Sequence, residues 1–331
     1  MNDRILLPRR ALAAATLAAA AALPARRARA QAQAWPQRPV RLLVGFPPGG
    51  STDVVARLVA QGLAAAWGQS VVVDNRSGAN ATIANEAVAR AAPDGYTLLL
   101  SANNLVTNPP LFRQLPYDPE RDLTAIHTVA VSPNVAACGS AQPWRTLAEL
   151  VAAAKARPGQ IGYSTSGIGS NGHYGGALLN LAAGIDLPHI PYRGAAPATQ
   201  DTISGAVPLT INTLGSLIGP IRGGQLRALA VAGPARTPDL PDTPTFAEAG
   251  YDVADTGVWY GVMGPAGLPP DLLRRIEGDV AALLRQDEMR EKLLSQGAPP
   301  LSLGAAAFAA RIHEELPRWR AVAQAAGIRP E

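Results

Sequence analysis

Between residues 40 and 100, short apolar runs alternate with stretches of helical periodicity, and this alternation narrows the available folds more than any other feature. The run over 40–44 reads as a strand. Val55, Leu58, Val59, Gly62, Leu63 and Ala66 then recur at helical spacing. Residues 71–73 read as a second strand and 81–91 as a second helix, stopped by Pro93-Asp94-Gly95. Residues 96–100 read as a third strand. A β-α-β-α-β order is satisfied by a parallel sheet with helices on its faces, because parallel neighbours need a crossover long enough to hold a helix.

The pattern recurs further on. Residues 101–125 look irregular, and 126–137 read as one strand. Thr146-Leu147-Ala148-Glu149 is a capping box that starts a helix ending near Arg157-Pro158-Gly159. A short strand over 160–163 leads into STSGIGSNGHYGG, followed by a helix carrying His173, Tyr174, Ala177, Leu178 and Leu181. Strands are predicted at 209–211 and 226–231. One long amphipathic helix over 272–284 precedes Gly297 and Pro299.

Two β-loop-α units therefore carry polar, Gly-rich turns: VGFPPGGSTD at 44–53 and STSGIGS at 164–170. Ligands of open α/β sheets bind beyond the carboxyl ends of the strands, where such turns lie. In the first turn, Gly49 and Gly50 leave backbone N–H groups unobstructed, and Ser51 and Thr52 add hydroxyls. Asp53 falls in the first helical turn, where a carboxylate complements the dipole. An anion cradle and an ordinary capped turn both fit this composition. The second turn offers Ser164, Thr165, Ser166 and Ser170 around Gly167 and Gly169. Arg193 is the best charged candidate for a ligand contact.

Several chemistries are disfavoured. A P-loop needs Lys after its second glycine, and Lys155 and Lys292 are the only lysines. Gly167-Ile168-Gly169-Ser170-Asn171-Gly172 matches G-x-G-x-x-G but follows a polar Ser-Thr-Ser rather than an apolar strand end. The nucleophile elbow fails at Ser166 and Ser170. Ser170 and His173 could be read as nucleophile and base, but no orienting acid is evident. One Cys and four scattered His argue against a metal site. Cys138 reads as a small buried hydrophobe, and no cofactor is implied.

The N-terminus reads as an export signal. Arg9 and Arg10 precede an apolar run over 11–23, and A-x-A patterns follow up to Ala34. The twin arginines point to the Tat route without its full consensus, so the route stays open. Removing 1–34 takes away six Arg and one Asp, so 29 basic and 25 acidic residues become 23 and 24. The basic excess belongs to the signal, and nothing in the remainder calls for nucleic acid.

Taken together, WPQRPVRLLVGFPPGGSTDVVARLVA, VDNRSGA at 73–79, APDGYTLLLSAN, LPYDPERDLTAI, GYSTSGIGSNGHYGG, HIPYRGAAPA and RTPDLPDTPTFAEAG resemble the Bug family of extracytoplasmic solute receptors of tripartite tricarboxylate transporters. The resemblance spans nearly the whole chain after the signal. It implies a type II periplasmic-binding-protein fold in which two α/β domains surround a central cleft: 35–135 with 255–331, and 136–254. It also implies a periplasmic receptor that captures a di- or tricarboxylate, an acidic amino acid or an aromatic acid; a monomer is the default expectation. Such a receptor passes its ligand to membrane subunits or presents it to a sensor.

By position, the implied ligand residues are Phe46, Gly49, Gly50, Ser51, Thr52, Asp53, Ser101 and Asn103 in the first domain. In the second they are Ser164, Thr165, Ser166, Gly169, Ser170, His173, Arg193 and Gly194. The family's Gly-x-Val-Asp pattern reads Gly205-Ala206-Val207-Pro208 here, with Asn212 near its second acid. Asn212 can donate as well as accept, which favours a ligand offering an acceptor there.

Overall fold

A computed structural model describes residues 35–253 and 255–328; the expected signal over 1–34 lies outside them. The first sheet contains β1 (Val40–Val44), β2 (Val71–Asn75), β3 (Thr97–Ala102), β4 (Leu123–Ser132) and, from late in the chain, β10 (Val258–Pro265). Its order is β2-β1-β3-β10-β4. The second sheet contains β5 (Asn134–Gly139), β6 (Tyr163–Thr165), β7 (His189–Pro191), β8 (Leu209–Thr213) and β9 (Leu226–Val231), in the order β7-β6-β8-β5-β9. Each sheet has three parallel strands, with the first-formed at their centre, and then one antiparallel strand. In both, the antiparallel strand is the one by which the chain enters from the other sheet. This is the type II periplasmic-binding-protein arrangement.

The helices are α1 (Ser51–Trp67), α2 (Thr82–Ala89), α3 (Asn104–Thr107), α4 (Leu147–Ala156), α5 (Asn171–Ala183), α6 (Ala195–Ser204), α7 (Leu214–Arg222), α8 (Pro270–Leu284), α9 (Asp287–Ser295) and α10 (Ala305–Ala325). Among the described residues none is long and apolar enough to cross a membrane. In α1, Val55, Ala56, Val59, Ala60 and Leu63 face the core at i, i+4 spacing, and left-handed Gly68 ends the helix. At α4 Thr146 Oγ1 accepts from Glu149 N at 3.2 Å as a capping box requires, while the Glu149 carboxylate reaches one residue further back and accepts from Arg145 N at 2.5 Å. Cys138 is fully buried in β5, as its composition reading implies.

Two expectations are corrected. The single strand over 126–137 is two strands in different sheets, broken at Pro133. Proline supplies no N–H to a ladder, so the chain leaves one sheet and enters the other across that residue. The tail holds three helices rather than one. Phe308, Ile312, Leu316, Trp319 and Ala323 make a buried stripe on α10, although Pro317 sits inside the helix.

That last helix is fastened by a buried carboxylate. Glu315 is 7% exposed. Its Oε2 accepts from the indole Nε1 of Trp259 at 2.9 Å and of Trp319 at 3.4 Å, and its Oε1 accepts from Arg311 Nε at 2.7 Å. A buried carboxylate persists where donors replace its water. Glu315→Ala strands two buried indole donors, so a loss of about 2 kcal/mol is expected in denaturant unfolding of the purified protein. A loss below about 0.5 kcal/mol contradicts this account.

Candidate functional site

Between the two sheets lies an inner cavity of about 100 Å³, room for roughly seven to ten water-sized spheres. Four helices begin on its wall. Gly50, Ser51 and Thr52 open α1; Ser170, Asn171 and Gly172 open α5; Gly194, Ala195, Ala196 and Pro197 open α6; Thr213 caps α7. The first N–H groups of a helix have no intrahelical acceptor, and its N-terminus carries about half a positive charge. No carboxylate lines the cavity among the described residues, and Arg193 is its one charged side chain. Arg193 is exposed and makes no hydrogen bond or ion pair among those residues. The electrostatics therefore favour an anion.

The first turn is shaped by Asp53. Its Oδ2 accepts from Gly49 N at 3.0 Å and Arg57 Nε at 2.9 Å, and its Oδ1 accepts from Asn75 Nδ2 at 2.9 Å. Asn75 also donates to Phe46 O at 3.0 Å. Burial alone would raise the Asp53 pKa, but the bonds from Arg57, Gly49 and Asn75 outweigh it and hold the carboxyl below its ordinary value. Gly49, at φ +83°, takes a conformation that suits glycine. The requirement does not extend to Gly50, where a Cβ would meet only Pro47 O at 3.7 Å.

Of the residues expected to touch ligand, Phe46, Gly50, Ser51, Thr52, Asn103, Ser166, Ser170, Arg193, Gly194 and Asn212 line the cavity. Gly49, Asp53, Ser101, Ser164, Thr165, Gly169 and His173 do not. Their polar groups are spent inside the protein. Ser101 Oγ donates to Ala102 O at 3.1 Å. Ser164 Oγ bonds Ala198 O at 3.2 Å and Thr202 Oγ1 at 3.0 Å. Thr165 Oγ1 bonds His189 Nε2 at 2.7 Å and accepts from Gly167 N at 3.1 Å. Gly169 N donates to His173 Nδ1 at 3.1 Å.

Ser170 Oγ accepts from His173 N at 3.3 Å as a helix cap, so serine and histidine here shape the turn. Asn212 is likewise partly spent. Its Oδ1 accepts from Ser166 N at 3.0 Å and its Nδ2 donates to Thr210 Oγ1 at 2.8 Å, which leaves one amide hydrogen uncommitted.

Asn80, Asn134 and Thr213 escaped the sequence reading, whereas Tyr260, an aromatic able to close over a ligand or to sit in a core, is fully buried and lines the cavity. Ser51 Oγ bonds Thr213 Oγ1 at 2.9 Å and accepts from Tyr260 Oη at 3.0 Å, joining the two sheets' helix starts. Asn80 Nδ2 reaches across to Gly169 O at 3.1 Å. Asn103 and Asn134 donate through Nδ2 to Gly257 O and Thr256 O at 3.0 and 2.9 Å, while both of their Oδ1 atoms are buried without partners among the described residues. Because each Nδ2 faces a carbonyl, the free atom must be oxygen. The cavity wall thus includes acceptors as well as donors. The start of α6 did have a signal: a glycine followed by a first-turn proline, Gly194-Ala195-Ala196-Pro197.

His173 and His189 stack at 4.0 Å and 10° beneath the second turn. Burial lowers the His173 pKa to about 4; burial and then His173 lower that of His189 to about 3. Both fall below the ordinary 6.5, so as pH drops the unfolded chain binds protons first. The contribution of the neutral pair is full above about pH 6.5 and declines towards pH 4. Melting temperature is expected to fall between pH 7 and 5, and less steeply in the double variant His173→Gln, His189→Gln. An unchanged slope in that variant contradicts the assignment.

Known proteins match the chain over most of its length. The family model described as tripartite tricarboxylate transporter family receptor matches residues 55–328. Protein BugT of Bordetella pertussis is 35% identical over 300 residues, covering 90% of this chain and 92% of its own. The structure of R. palustris Rpa4515 with adipate superposes with a TM-score of 0.87 at 36% identity, covering 90% of this chain and all of the other. MatC of Rhodopseudomonas palustris with bound malate gives 0.82 at 30% identity, covering 87% and 99%. With a family match over most of its length and relatives above 30% identity across nearly all of theirs, this chain belongs to the receptor family of the tripartite tricarboxylate transporters.

Proposed function

We propose that this chain is a periplasmic receptor that captures a small carboxylate between its two sheets and delivers it to the membrane subunits of a tripartite tricarboxylate transporter. The observation that carries the reading is the convergence of four helix N-termini and Arg193 on one cavity free of lining carboxylates. Neutral N–H and hydroxyl donors hold a carboxylate without a fixed counter-ion, so release follows when the two halves separate. The adipate of Rpa4515 and the malate of MatC support this ligand class. In the same reading, residues 1–34 are a cleaved export signal. Residues 35–135 with 255–331, and 136–254, act as the two closing bodies of a monomer, and the protein performs no catalysis. The capping role of Ser170 and the Gly169 bond to His173 support the last point.

A thermal-shift screen of the mature protein against di- and tricarboxylates, acidic amino acids and aromatic acids tests the proposal. A ligand at a hundred times its Kd adds about 2.7 kcal/mol of stability, well within detection. No stabilisation by any acid at millimolar concentration would sink the reading. In a second measurement, Arg193→Gln is expected to weaken the best acid about tenfold, because the exposed guanidinium loses a charge-assisted bond partly screened by solvent. Unchanged affinity in calorimetric titration would remove Arg193 from the site.

A further inference from the structure

A second, larger cavity of about 710 Å³ adjoins the first. Phe46, Pro47, Asn80, Ser166, Arg193 and Gly194 border both, so the two spaces meet beside Arg193. The inner space is dominated by helix starts and hydroxyls. The outer one has a different chemistry: Phe46, Pro47, Leu111, Phe112, Ile168 and Pro191 stand on its wall, contributed by both halves of the molecule. Among the described residues its one charged side chain is again Arg193.

Ile168 is the telling residue. It is 47% exposed, one of five large hydrophobic side chains so placed among the described residues. It projects from the second turn between Gly167 at φ +137° and Gly169 at φ +72°. Those conformations suit glycine, so the turn is shaped to carry an isoleucine at the cleft rather than to bury it. A Cβ on Gly169 would collide with Leu111 from the opposite half, so the turn and Leu111 close the wall on that side. Exposed apolar groups gathered at a cleft mark a surface that is covered in use.

The volumes decide what covers it. The inner cavity has room for roughly seven to ten heavy atoms, which a compact acid fills while leaving the apolar wall of the outer cavity, within the roughly 300–1,000 Å³ of organic-ligand pockets, uncovered. We infer that the ligand is a carboxylic acid with an extended apolar body, an alkyl chain or a ring, whose head sits at the helix starts and whose body fills the outer cavity past Arg193. This rests on the carboxylate reading and narrows it, away from compact polyacids.

Calorimetric titration of the mature protein with butyrate, hexanoate, octanoate, 3-phenylpropionate and succinate tests it. Affinity is expected to rise about two- to fourfold per methylene along the straight-chain series, with octanoate and 3-phenylpropionate tighter than succinate. Ile168→Ala is expected to erase part of that gain for octanoate and Ile168→Asn most of it, both without adding charge to the turn. Affinity independent of chain length, succinate as the tightest ligand, or a gain that survives Ile168→Asn overturns the inference and leaves the carboxylate reading standing. No binding by any of these acids or by the wider acid screen overturns both.

Discussion

The structure depends on one electrostatic arrangement, the start of four helices on the wall of one small cavity. Each supplies unpaired N–H groups and a partial positive charge, and the one charged side chain lining the cavity among the described residues is a cation. Much else in the fold can be understood as support for that convergence. Asp53 spends its carboxylate on Gly49, Arg57 and Asn75, and so fixes the turn entering α1 without presenting a negative charge to the cavity. Ser170 caps α5, Asn212 holds Ser166 N, and the stacked histidines lie under the same turn as neutral rings. An acid facing the cavity from any of these places would cancel the field that the helix starts create.

The halves of the cavity are tied together by the second crossover of the chain. Asn103 after β3, Asn134 at the start of β5 and Asn171 at the start of α5 all donate to the carbonyls of Thr256 or Gly257. Three carboxamides from separate elements thus share two consecutive peptide groups. Tyr174 adds a longer reach, from α5 to Thr107 O at 2.9 Å, while its ring packs edge-on against Trp319 of α10. The cleft is therefore bounded by a backbone segment that both sheets recognise.

Much of this was legible in the sequence because it rests on local rules. The alternating runs over 40–100 led to the parallel strands, and Thr146 with Glu149 to the capped α4. The two Gly-rich turns fell beyond the strand ends that border the cleft. What was not legible depends on long-range pairing. Ser132-Pro133-Asn134 does signal a break, but that the pieces on either side of it join different sheets is decided only by pairing with distant strands. Proline disfavours a helix interior, yet Pro317 sits within α10, where burial of Phe308, Ile312 and Trp319 holds the helix together. Hydroxyls in STSGIGS look alike on paper, yet Ser164 and Thr165 turn inwards while Ser166 and Ser170 reach the cavity. Asn134 and the carbonyls of 256–257 carry no motif at all, since their role exists only once distant segments meet.

The central claim, that backbone N–H groups at converging helix starts hold an anion, is tested most directly by amide NMR during titration with an acid that stabilises the protein. The account predicts saturable downfield shifts of the Ser51, Thr52, Asn171, Gly172, Ala195 and Ala196 amides, with one common dissociation constant across the three helices. Shifts confined to the surroundings of Arg193, with those six amides unmoved, would contradict it.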